Sequence, residues 1–436
     1  MQPQFFLSES VAMLLEFSCR NFRSFKGEAR LTLLPVNAYK EHLENLAPVR
    51  PAGTGANGVL SAAAIYGSNA SGKTNLLKAI AFAKSVVLGG SKSSVHQTFV
   101  GCEDKDIYFS FSLFEGGIRY QYDFSVGQKG VSYENLTVQP KQQRLVFERR
   151  LLPDGTYSIK QGSRYRGVST KLKGYSDNGL VLGLLSKFGV DDCATVFNWF
   201  SDSLVVHDRG MAVLDYGMLL EKLMQLGESN FTNVISAVKS ADLGITGAQL
   251  TVGDLTEQEK KDQRVVTDKI KAIFEALVGE GAGDFEPSDK KITFQFQHLI
   301  DGHQVGFGFD DESLGTVMML NLAAVFVDAI ASGKTIFIDE VERSLHPVLL
   351  KNLIALFFDR NLNKRNAQIV FTTHDLSIMG EDLLRRDQFW FVQKDPDEGC
   401  SELYPLSDFS PRKDESLLNR YLYGAYGAVP FIDGVM

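Results

Sequence analysis

The chain contains little cysteine and no long uninterrupted hydrophobic run. Its 436 residues include four scattered cysteines, none in a C-x-x-C pair: Cys19, Cys102, Cys193 and Cys400. This pattern predicts neither a disulfide framework nor a zinc site, and it suits a reducing cytoplasm. No stretch approaches the ~18 uninterrupted apolar residues of a membrane-spanning helix, and the N-terminus lacks the features of a signal peptide. We therefore expect a cytoplasmic protein without a membrane span.

The chain also lacks an overall excess of positive charge. Its net charge of −8 excludes a generally basic surface, so any contact with nucleic acid has to use a local patch. Residues 141–173 form such a segment, in which nine basic residues oppose only Glu148 and Asp154. The basic residues are Lys141, Arg144, Arg149, Arg150, Lys160, Arg164, Arg166, Lys171 and Lys173. An exposed hairpin and loop is the simpler interpretation, and nucleic-acid binding is the alternative.

One octapeptide, Gly67–Thr74 (GSNASGKT), matches the phosphate-binding pattern G-x-x-x-x-G-K-[ST] at every fixed position. An apolar run at Leu60–Tyr66 predicts a strand before it, and Asn75–Lys84 predicts a helix after it. Glycines allow backbone N–H groups at a helix N-terminus to approach phosphate oxygens. Lys73 would neutralise the β and γ phosphates, and Thr74 would offer its hydroxyl to Mg²⁺. The residues predicted to bind nucleotide here are Gly67, Asn69, Ser71, Gly72, Lys73 and Thr74.

Two further apolar runs end in side chains suited to phosphate chemistry. Thr335–Ile338 ends in Asp339 and Glu340, as when a buried strand delivers two carboxylates to the ligand-binding edge of an α/β sheet. Asp339 would hold Mg²⁺ directly or through water, and Glu340 would act as general base. Ala367–Phe371 precedes His374, whose imidazole could contact the γ-phosphate or the attacking water. A structural histidine at a strand end is the alternative.

Two weaker strings complete the set. Glu312–Thr316 (ESLGT) precedes an apolar run, and Ser313 and Gly315 at a helix start could present N–H groups to an anion. Ser344 lies in VERSLHP, before the predicted helix Val348–Phe358. It could act across an interface or cap that helix.

The order of these strings resembles that of ATPases of the ABC/SMC class. Within that class, the chain resembles the bacterial AAA family ATPases that include the overcoming-lysogenization-defect (OLD) ATPases and the RloA, AbiLi and PARIS-type defence ATPases. The resemblance runs from Met13 to Ile432 and is weakest in the predicted helical insertion. The strings that carry it are LLEFSCRNFRSF, GSNASGKTNLLKAI, ESLGT, IFIDEVERSLHP, TTHDLSIM, LLRRDQFWFVQ and RYLYGAYGAVPFI.

The resemblance implies a site shared between two subunits. Ser313 and Gly315 would contact the ATP held by the loop of a second subunit, and Ser344 would communicate across the interface. The chain would be at least a homodimer that uses ATP and Mg²⁺. The string Glu312–Thr316 corresponds to the signature of this class of ATPases. It departs from the transporter form, which has two adjacent glycines, because Leu314, Gly315 and Thr316 follow Ser313. The Mg²⁺-sensing glutamine stays open among Gln128, Gln139, Gln142 and Gln143.

The predicted fold class is α/β: an ABC-type (P-loop NTPase) nucleotide-binding domain with an antiparallel β lobe and a mostly helical insertion. Alternating apolar residues from Ile107 onward predict the lobe, and the separation of Thr74 from Ser313 leaves room for the insertion. The expected divisions are an N-terminal extension (1–12), the loop and β lobe (13–174), the insertion (175–285) and the rest of the ATPase domain (286–436).

The sequence after His374 is shorter than the Toprim nuclease domain of OLD proteins, so we expect no nuclease centre in it. Asp395-Pro396-Asp397 is therefore better interpreted as a hairpin turn than as a nuclease motif.

Three functions fit this pattern. The first is an ATP-hydrolysing switch subunit of a bacterial antiviral defence or nucleic-acid-surveillance complex, which controls a separate effector such as a nuclease. The second is a RecF- or SMC-like ATPase that acts directly on DNA in repair or maintenance. The third is an interaction scaffold that binds ATP with little turnover. A transporter subunit is the least supported, because the transporter form of the signature is absent.

Overall fold

The computed structural model describes residues 12–90, 96–103, 105–172, 175, 178–208, 216–240, 244–258, 260–261, 290–343, 345–380 and 382–429. These residues form two compact units. The first comprises Met1–Ala212 and Val325–Met436, and the second comprises Val213–Ala324. The predicted N-terminal extension apart from Ala12, and Ser344, lie outside the described residues. The same holds for most of 258–278, whose sequence predicts a helix, and for 279–289, whose turn-forming residues predict a loop.

The strands, numbered in chain order, are β1 (Met13–Arg20), β2 (Ala29–Thr32), β3 (Leu46–Ala47), β4 (Val59–Leu60), β5 (Ala62–Tyr66), β6 (Ile107–Glu115), β7 (Ile118–Gly127), β8 (Gly130–Gln139), β9 (Arg144–Leu151), β10 (Tyr157–Gln161), β11 (Leu204–His207), β12 (Ile245–Asp254), β13 (Lys290–Ile300), β14 (His303–Phe307), β15 (Thr335–Ile338), β16 (Gln368–Thr372), β17 (Phe389–Lys394) and β18 (Ser401–Pro405). The described helices are α1 (Lys73–Val87), α2 (Val168–Lys171), α3 (Leu182–Lys187), α4 (Asp191–Asn198), α5 (Tyr216–Gln225), α6 (Gly227–Lys239), α7 (Leu314–Ser332), α8 (Pro347–Ala355), α9 (Ser377–Gly380) and α10 (Leu417–Leu422).

A six-stranded, mostly parallel sheet forms the centre of the first unit. Its strand order is β11-β15-β16-β5-β17-β18, and only the last pair is antiparallel. Every residue of β5, β15 and β16 is buried, as expected for short apolar strands covered on both faces. Because these strands are parallel, their C-terminal ends meet at one edge. The phosphate loop, Asp339 and His374 all follow strands at that edge.

A seven-stranded antiparallel sheet forms the lobe of the first unit, in the order β10-β9-β8-β7-β6-β1-β2. This confirms the antiparallel series predicted from Ile107 onward. One hydrophobic cluster contains residues from this lobe, from the central sheet and from α1, including Phe109, Val392 and Ile80. The phosphate-loop helix therefore shares its core with both sheets.

The side chain of Gln368 joins the two sheets. Its amide pairs with both backbone polar groups of Leu14 in β1, accepting from the N–H at 2.7 Å and donating to the carbonyl at 2.9 Å. The same amide donates to the carbonyl of Leu60 at 3.1 Å and accepts from the hydroxyl of Thr335 at 3.2 Å. Gln368 is fully buried, so this network replaces water for backbone groups that no neighbouring strand pairs at this point.

The second unit contains α5, α6 and a three-stranded antiparallel sheet in the order β12-β13-β14. The structure differs here from the mostly helical segment predicted over 175–285, because Ile245–Asp254 is a strand. That strand pairs along its length with β13, yet most of its side chains are exposed or half-buried. Its alternating apolar residues, Ala248, Leu250 and Val252, are half-buried or exposed, so the backbone pairing with β13 contributes more to this strand than burial does. The sequence predicts helices over 179–188, 192–204, 218–226 and 233–240, and these are present as α3 and α4 in the first unit and α5 and α6 in the second.

Among the described residues, one helix is long and apolar enough to cross a membrane, judged by length and composition only. It is α7, and 78% of its most apolar window is buried within the protein. A buried core helix meets the same criterion. Asn321 and Asp328 interrupt its apolar run, which is why the sequence pattern does not predict a span here.

Candidate functional site

Two glycines shape the phosphate loop between β5 and α1. A Cβ at Gly67 would lie 2.4 Å from the carbonyl oxygen of Val392. Gly72, the N-cap of α1, has a φ of 119°, and a Cβ there would lie 2.4 Å from the hydroxyl of Ser401. Both distances are far shorter than real contacts, so a larger residue at either position would displace its neighbours. The glycines of the motif are therefore required by the local backbone as well as by any ligand.

Lys73 begins α1, and its side chain curls back into the loop. Its Nζ donates to the carbonyl oxygens of Gly67 at 2.8 Å and Ser68 at 3.1 Å, and the residue is only 6% exposed. Burial lowers the pKa of Lys73, against the opposing effect of nearby acidic groups that include Asp339 and Glu340. The loop thus holds a cation next to carboxylates.

A hydrogen-bonded chain of three side chains and one backbone group links α1 to β15 and β16. The Thr74 hydroxyl donates to Oδ2 of Asp339 at 2.7 Å, and the Thr372 hydroxyl donates to Oδ1 at 2.6 Å. The Thr372 hydroxyl also accepts from the backbone N–H of Glu340 at 2.8 Å. Both carboxylate oxygens of Asp339 are therefore held, and Asp339 is 5% exposed. The sequence analysis did not select Thr372, although it directly follows the apolar run Ala367–Phe371.

Glu340 occupies an unusual backbone conformation. Its φ of 47° lies in the left-handed region, which residues other than glycine adopt at a cost. The N–H of the next residue, Val341, donates to the carbonyl of Thr372 at 3.1 Å, so Thr372 fixes the turn on both sides. The Glu340 side chain is exposed at the edge of the sheet. Strained residues that their surroundings hold in place are typical of functional sites.

His374 is held in place by a third carboxylate at this edge. Its backbone N–H donates to Oε1 of Glu342 at 2.7 Å, while Oε2 of Glu342 is buried and has no hydrogen-bond partner among the described residues. Partial burial and the charge of Lys73 lower the pKa of the His374 imidazole, and Glu342 opposes this effect. The sequence analysis did not identify Glu342. Its position three residues after Asp339, at the same strand end, was the available signal.

A cavity of about 660 Å³ opens between the phosphate loop and the C-terminal part of the first unit. Its walls include Ser68, Asn69, His374, Tyr421, Leu422 and Val429. The Tyr66 hydroxyl donates to the carbonyl of Asp375 at 3.0 Å below it, and the Tyr421 hydroxyl donates to the carbonyl of Ala428 at 3.0 Å. The tail that contributed to the sequence resemblance therefore forms one wall beside the loop.

The other predicted residues divide between the two units. Ser71 is buried, its carbonyl accepts from the Ser401 hydroxyl at 2.5 Å, and Asn69 is exposed. Ser313 and Gly315 lie in the second unit, at the start of α7, where the Ser313 hydroxyl accepts from the N–H of Thr316 at 3.1 Å. The residues that the structure brings together in the first unit are Gly67, Gly72, Lys73, Thr74, Asp339, Glu340 and His374.

The donor set fits Mg²⁺ held together with a phosphate. The described residues contain no cluster of three or more His, Cys, Asp or Glu side chains that could hold a metal. They do bring one hydroxyl, Thr74, to 2.7 Å from one carboxylate, Asp339, beside a glycine loop. Mg²⁺ typically uses one or two protein ligands and completes its shell with water and substrate phosphates.

Fewer side chains of the basic segment 141–173 are available to contact nucleic acid than its composition indicates. Arg149 is 1% exposed; its guanidinium stacks over the ring of Tyr157 at 3.5 Å and donates to the carbonyl of Gly179 at 2.6 Å. Arg150 and Lys160 both pair with Glu148, at 3.1 and 3.2 Å. Lys173 lies outside the described residues. Lys141, Arg164, Arg166 and Lys171 are exposed, and Arg144 is half-buried.

The predicted hairpin turn at Asp395 is present between β17 and β18. The Asp395 carboxylate accepts from the backbone N–H groups of Asp397 at 2.8 Å and Glu398 at 2.7 Å, so it closes the turn itself. Two of the candidate glutamines bond within the lobe, Gln128 to the carbonyl of Glu103 and Gln143 to the hydroxyl of Thr137.

A family model described as "AAA domain, putative AbiEii toxin, Type IV TA system" matches residues 62–159 and 245–380, which is more than half of the chain. The chain belongs to this AAA family. The match includes the phosphate loop, Ser313, Asp339, Glu340 and His374. Membership, together with the parallel sheet, loop and antiparallel lobe, confirms the predicted P-loop α/β fold class.

The search of curated proteins found no match. Solved structures that are similar to this chain include the SMC head domain from Thermotoga maritima, at 15% sequence identity and a TM-score of 0.42, with 90% of this chain and 98% of that chain covered. They also include an SMC head bound to the C-terminal winged-helix domain of ScpA (15% identity, TM-score 0.43, 91% of this chain and 99% of that chain) and the recombination mediator protein RecF with ATP (14% identity, TM-score 0.34, 91% of this chain and 100% of that chain). Because these sequence identities and TM-scores are low, the fold assignment of this AAA protein rests on its family membership and on its own sheets and phosphate loop.

Proposed function

We propose that this AAA protein is an ATP-binding and ATP-hydrolysing switch subunit of a cytoplasmic bacterial defence or nucleic-acid-surveillance complex. It closes on ATP as a head-to-tail dimer and controls a separate effector, a nuclease. One observation carries the ATPase part. Thr74, Asp339, Thr372 and Glu340 form a continuous hydrogen-bonded chain at the C-terminal edge of the parallel sheet, beside the glycine loop.

Each residue has a role that its position supports. Lys73 exchanges its loop carbonyls for the β and γ phosphates of ATP, and the N–H groups at the start of α1 bind the same oxygens. Thr74 and Asp339 hold Mg²⁺, which neutralises charge on the phosphates. Glu340 accepts a proton from the attacking water, and His374 contacts the γ-phosphate side. The fixed turn at Glu340 supports this assignment, because a general base needs a defined position.

The dimer part of the proposal rests on Ser313 and Gly315. They lie at the start of a 19-residue helix, where Ser313 is exposed and the positive end of the helix dipole favours an anion. In the proposed dimer they bind the ATP held by the partner's loop, and Ser344 relays closure across the interface.

Two substitutions test the assignment of roles. Lys73→Ala removes the cation from the loop, so we expect weak ATP binding and no turnover. Glu340→Gln keeps the shape of the base but cannot accept the proton, so ATP binding persists while hydrolysis falls by at least about 10²-fold. Equilibrium ATP binding and steady-state phosphate release measure the two effects. Parental turnover in Glu340→Gln would show that Glu340 is not the base, and absent turnover in the parental protein would favour the scaffold function.

Ser313→Arg tests the shared site. We expect loss of hydrolysis with unchanged ATP binding to the separated protomer, because the loop residues are untouched. Sedimentation of Glu340→Gln with ATP should show a stable dimer, which Ser313→Arg should abolish. Normal activity in Ser313→Arg would exclude the head-to-tail arrangement.

The defence part rests on the sequence resemblance and on the toxin–antitoxin description of the family. Purification with the chains encoded by neighbouring genes, followed by a nuclease assay with and without ATP, tests it. ATP-dependent cleavage that Glu340→Gln alters would support a switch. An isolated chain that binds no partner and shows DNA-stimulated ATPase activity would favour the alternative, a RecF- or SMC-like DNA ATPase.

The basic segment favours that alternative only modestly. Among the described residues of the segment, the exposed cations outside the ion pairs with Glu148 are Lys141, Arg164, Arg166 and Lys171. If these four contact DNA phosphates and release about one counterion each, log K should fall with log salt with a slope of about −4. Reversing Arg164 and Arg166 to Glu should remove at least about half of that slope if this segment binds DNA. No change in DNA affinity would remove the segment from the interface.

A further inference from the structure

The second unit contains a half-buried histidine that contacts the residue directly before Ser313. His298 lies on β13, and its Nε2 shares a hydrogen bond with Oε1 of Glu312, the residue directly before Ser313. The two side chains are 19% and 10% exposed, whereas Ser313 is exposed. The largely buried pair of His298 and Glu312 is thus directly adjacent in sequence to the exposed Ser313.

The same face of β13 holds the segment in front of the signature by a second contact. Phe294, Phe296 and His298 alternate along the strand, so their side chains point to one side of the sheet. Phe309 stacks on Phe294, with ring centroids 5.2 Å apart and planes inclined by 8°, and it meets Phe296 edge-on at 6.0 Å. Its other side stacks on Tyr216 of α5 at 4.8 Å.

The loop from Phe309 to Ser313 is therefore attached to β13 at two points, one aromatic and one polar. Only a few residues separate these points from the helix start. The backbone of Glu312 and Ser313 cannot move far without breaking one attachment. An unpaired carboxylate at 10% exposure is costly, so the Glu312 side chain resists displacement while His298 is present.

We infer that His298 is a positioning residue for the signature: through Glu312 it fixes Ser313 and the first N–H groups of α7 in the geometry that hydrolysis on a partner subunit needs. This inference rests on the proposed function, because it assigns His298 an effect on the ATP held by another protomer. His298 touches neither nucleotide nor metal in this scheme.

The first experiment compares His298→Ala with His298→Gln. The alanine variant leaves Glu312 without its partner, so kcat for ATP hydrolysis should fall between about tenfold and 10²-fold, the usual effect of a misplaced group. ATP affinity of the separated protomer should not change, because its own loop is intact. The side-chain amide introduced by His298→Gln can still donate to Glu312, so this variant should retain kcat within about twofold. His303→Ala, an exposed histidine on the neighbouring β14, is the matched control and should behave like the parent.

The second experiment separates an effect in trans from a loss of folding. When His298→Ala and Lys73→Ala are mixed in equal amounts, half of the dimers contain one subunit of each kind. In these dimers, one of the two sites combines the intact loop of the His298→Ala subunit with the intact signature of the Lys73→Ala subunit. Turnover should therefore return to about a quarter of the parental value. Mixing His298→Ala with Ser313→Arg supplies no sound signature and should restore nothing. If His298→Ala does not fold, His298→Leu, which keeps the buried volume, replaces it in both experiments.

The outcomes distinguish this inference from the proposed function. A mixture of Lys73→Ala with Ser313→Arg serves as the reference, and failure of that reference to regain turnover would reject the shared site itself. If the reference regains turnover but the histidine variant hydrolyses ATP at the parental rate, the positioning role is overturned. It is equally overturned if the variant is impaired and Lys73→Ala does not rescue it, because His298 would then act within its own protomer.

Discussion

Replacing Thr372 by valine should separate the geometry of the acidic pair from the stability of the sheet. Valine keeps the shape of the side chain but removes the hydroxyl. Oδ1 of Asp339 then loses a donor at 2.6 Å, and the N–H of Glu340 loses an acceptor at 2.8 Å. A hydrogen bond to a charged group contributes about 1.5–3 kcal/mol and a neutral one about 0.5–1.5 kcal/mol. We expect the free energy of unfolding to fall by about 2–4 kcal/mol.

The effect on turnover should be larger than the effect on stability. Without the hydroxyl, nothing else among the described contacts holds the N–H of Glu340, so the strained turn can relax and move the carboxylate. A shift of about 1 Å in a catalytic group commonly costs about 10²-fold in rate. Steady-state phosphate release should therefore drop by about that factor at saturating ATP, while denaturant unfolding measures the stability change on the same sample.

Thr335→Val is the matched control. Thr335 is also a buried threonine of the central sheet, and its hydroxyl donates to Gln368 at 3.2 Å at the opposite end of β15. Its loss should cost about 0.5–1.5 kcal/mol of stability and leave turnover at the parental level. If Thr372→Val hydrolyses ATP as well as Thr335→Val does, Thr372 does not position the acidic pair. Equal loss in both variants would point to a general effect of weakening the sheet.

Three other substitutions test the site and its support. Glu340→Gly should stabilise the fold by up to about 1 kcal/mol in thermal unfolding while abolishing hydrolysis, because glycine relieves the left-handed strain; a destabilised variant would contradict this. Lys73→Ala should raise the pKa of His374 in an NMR titration, since the lysine charge opposes protonation, and an unchanged or lower value would refute it. Gln368→Leu leaves both backbone groups of Leu14 without a partner, so denaturant unfolding should show a loss of at least about 2 kcal/mol.

Most of the central site followed from the sequence because its signals are local. A glycine loop, a short apolar run and the polar residues that end it are each contiguous in the chain. The parallel sheet then brings the strand ends together, as expected, with Ile338 of β15 opposite Phe371 of β16. Thr372 was missed because its role has no local signal in the sequence. Its role depends on the register of two strands, which the sequence does not specify.

The basic segment shows a second limit. Arg149 counts as a surface charge in a composition argument, yet it lies opposite Glu134 on the neighbouring strand, and both side chains face the core. Alternation along β9 places Arg149 on the same side as the buried Phe147, which was an available signal. The Glu134 carboxylate also accepts from the N–H groups of Val181 and Leu182, so this buried pair attaches the start of α3 to the lobe.

The charges around the loop constrain how ATP can enter. Asp339, Glu340 and Glu342 all act on the pKa of Lys73, so acidic groups outnumber the lysine at the point where the phosphates should bind. At an effective dielectric constant near 20, two like charges about 6 Å apart repel by about 3 kcal/mol. A triphosphate entering alone would meet this repulsion from several carboxylates at once. Mg²⁺ would reverse the sign of that interaction if Thr74 and Asp339 bind it as proposed, so we expect the cation to be required for ATP affinity as well as for hydrolysis.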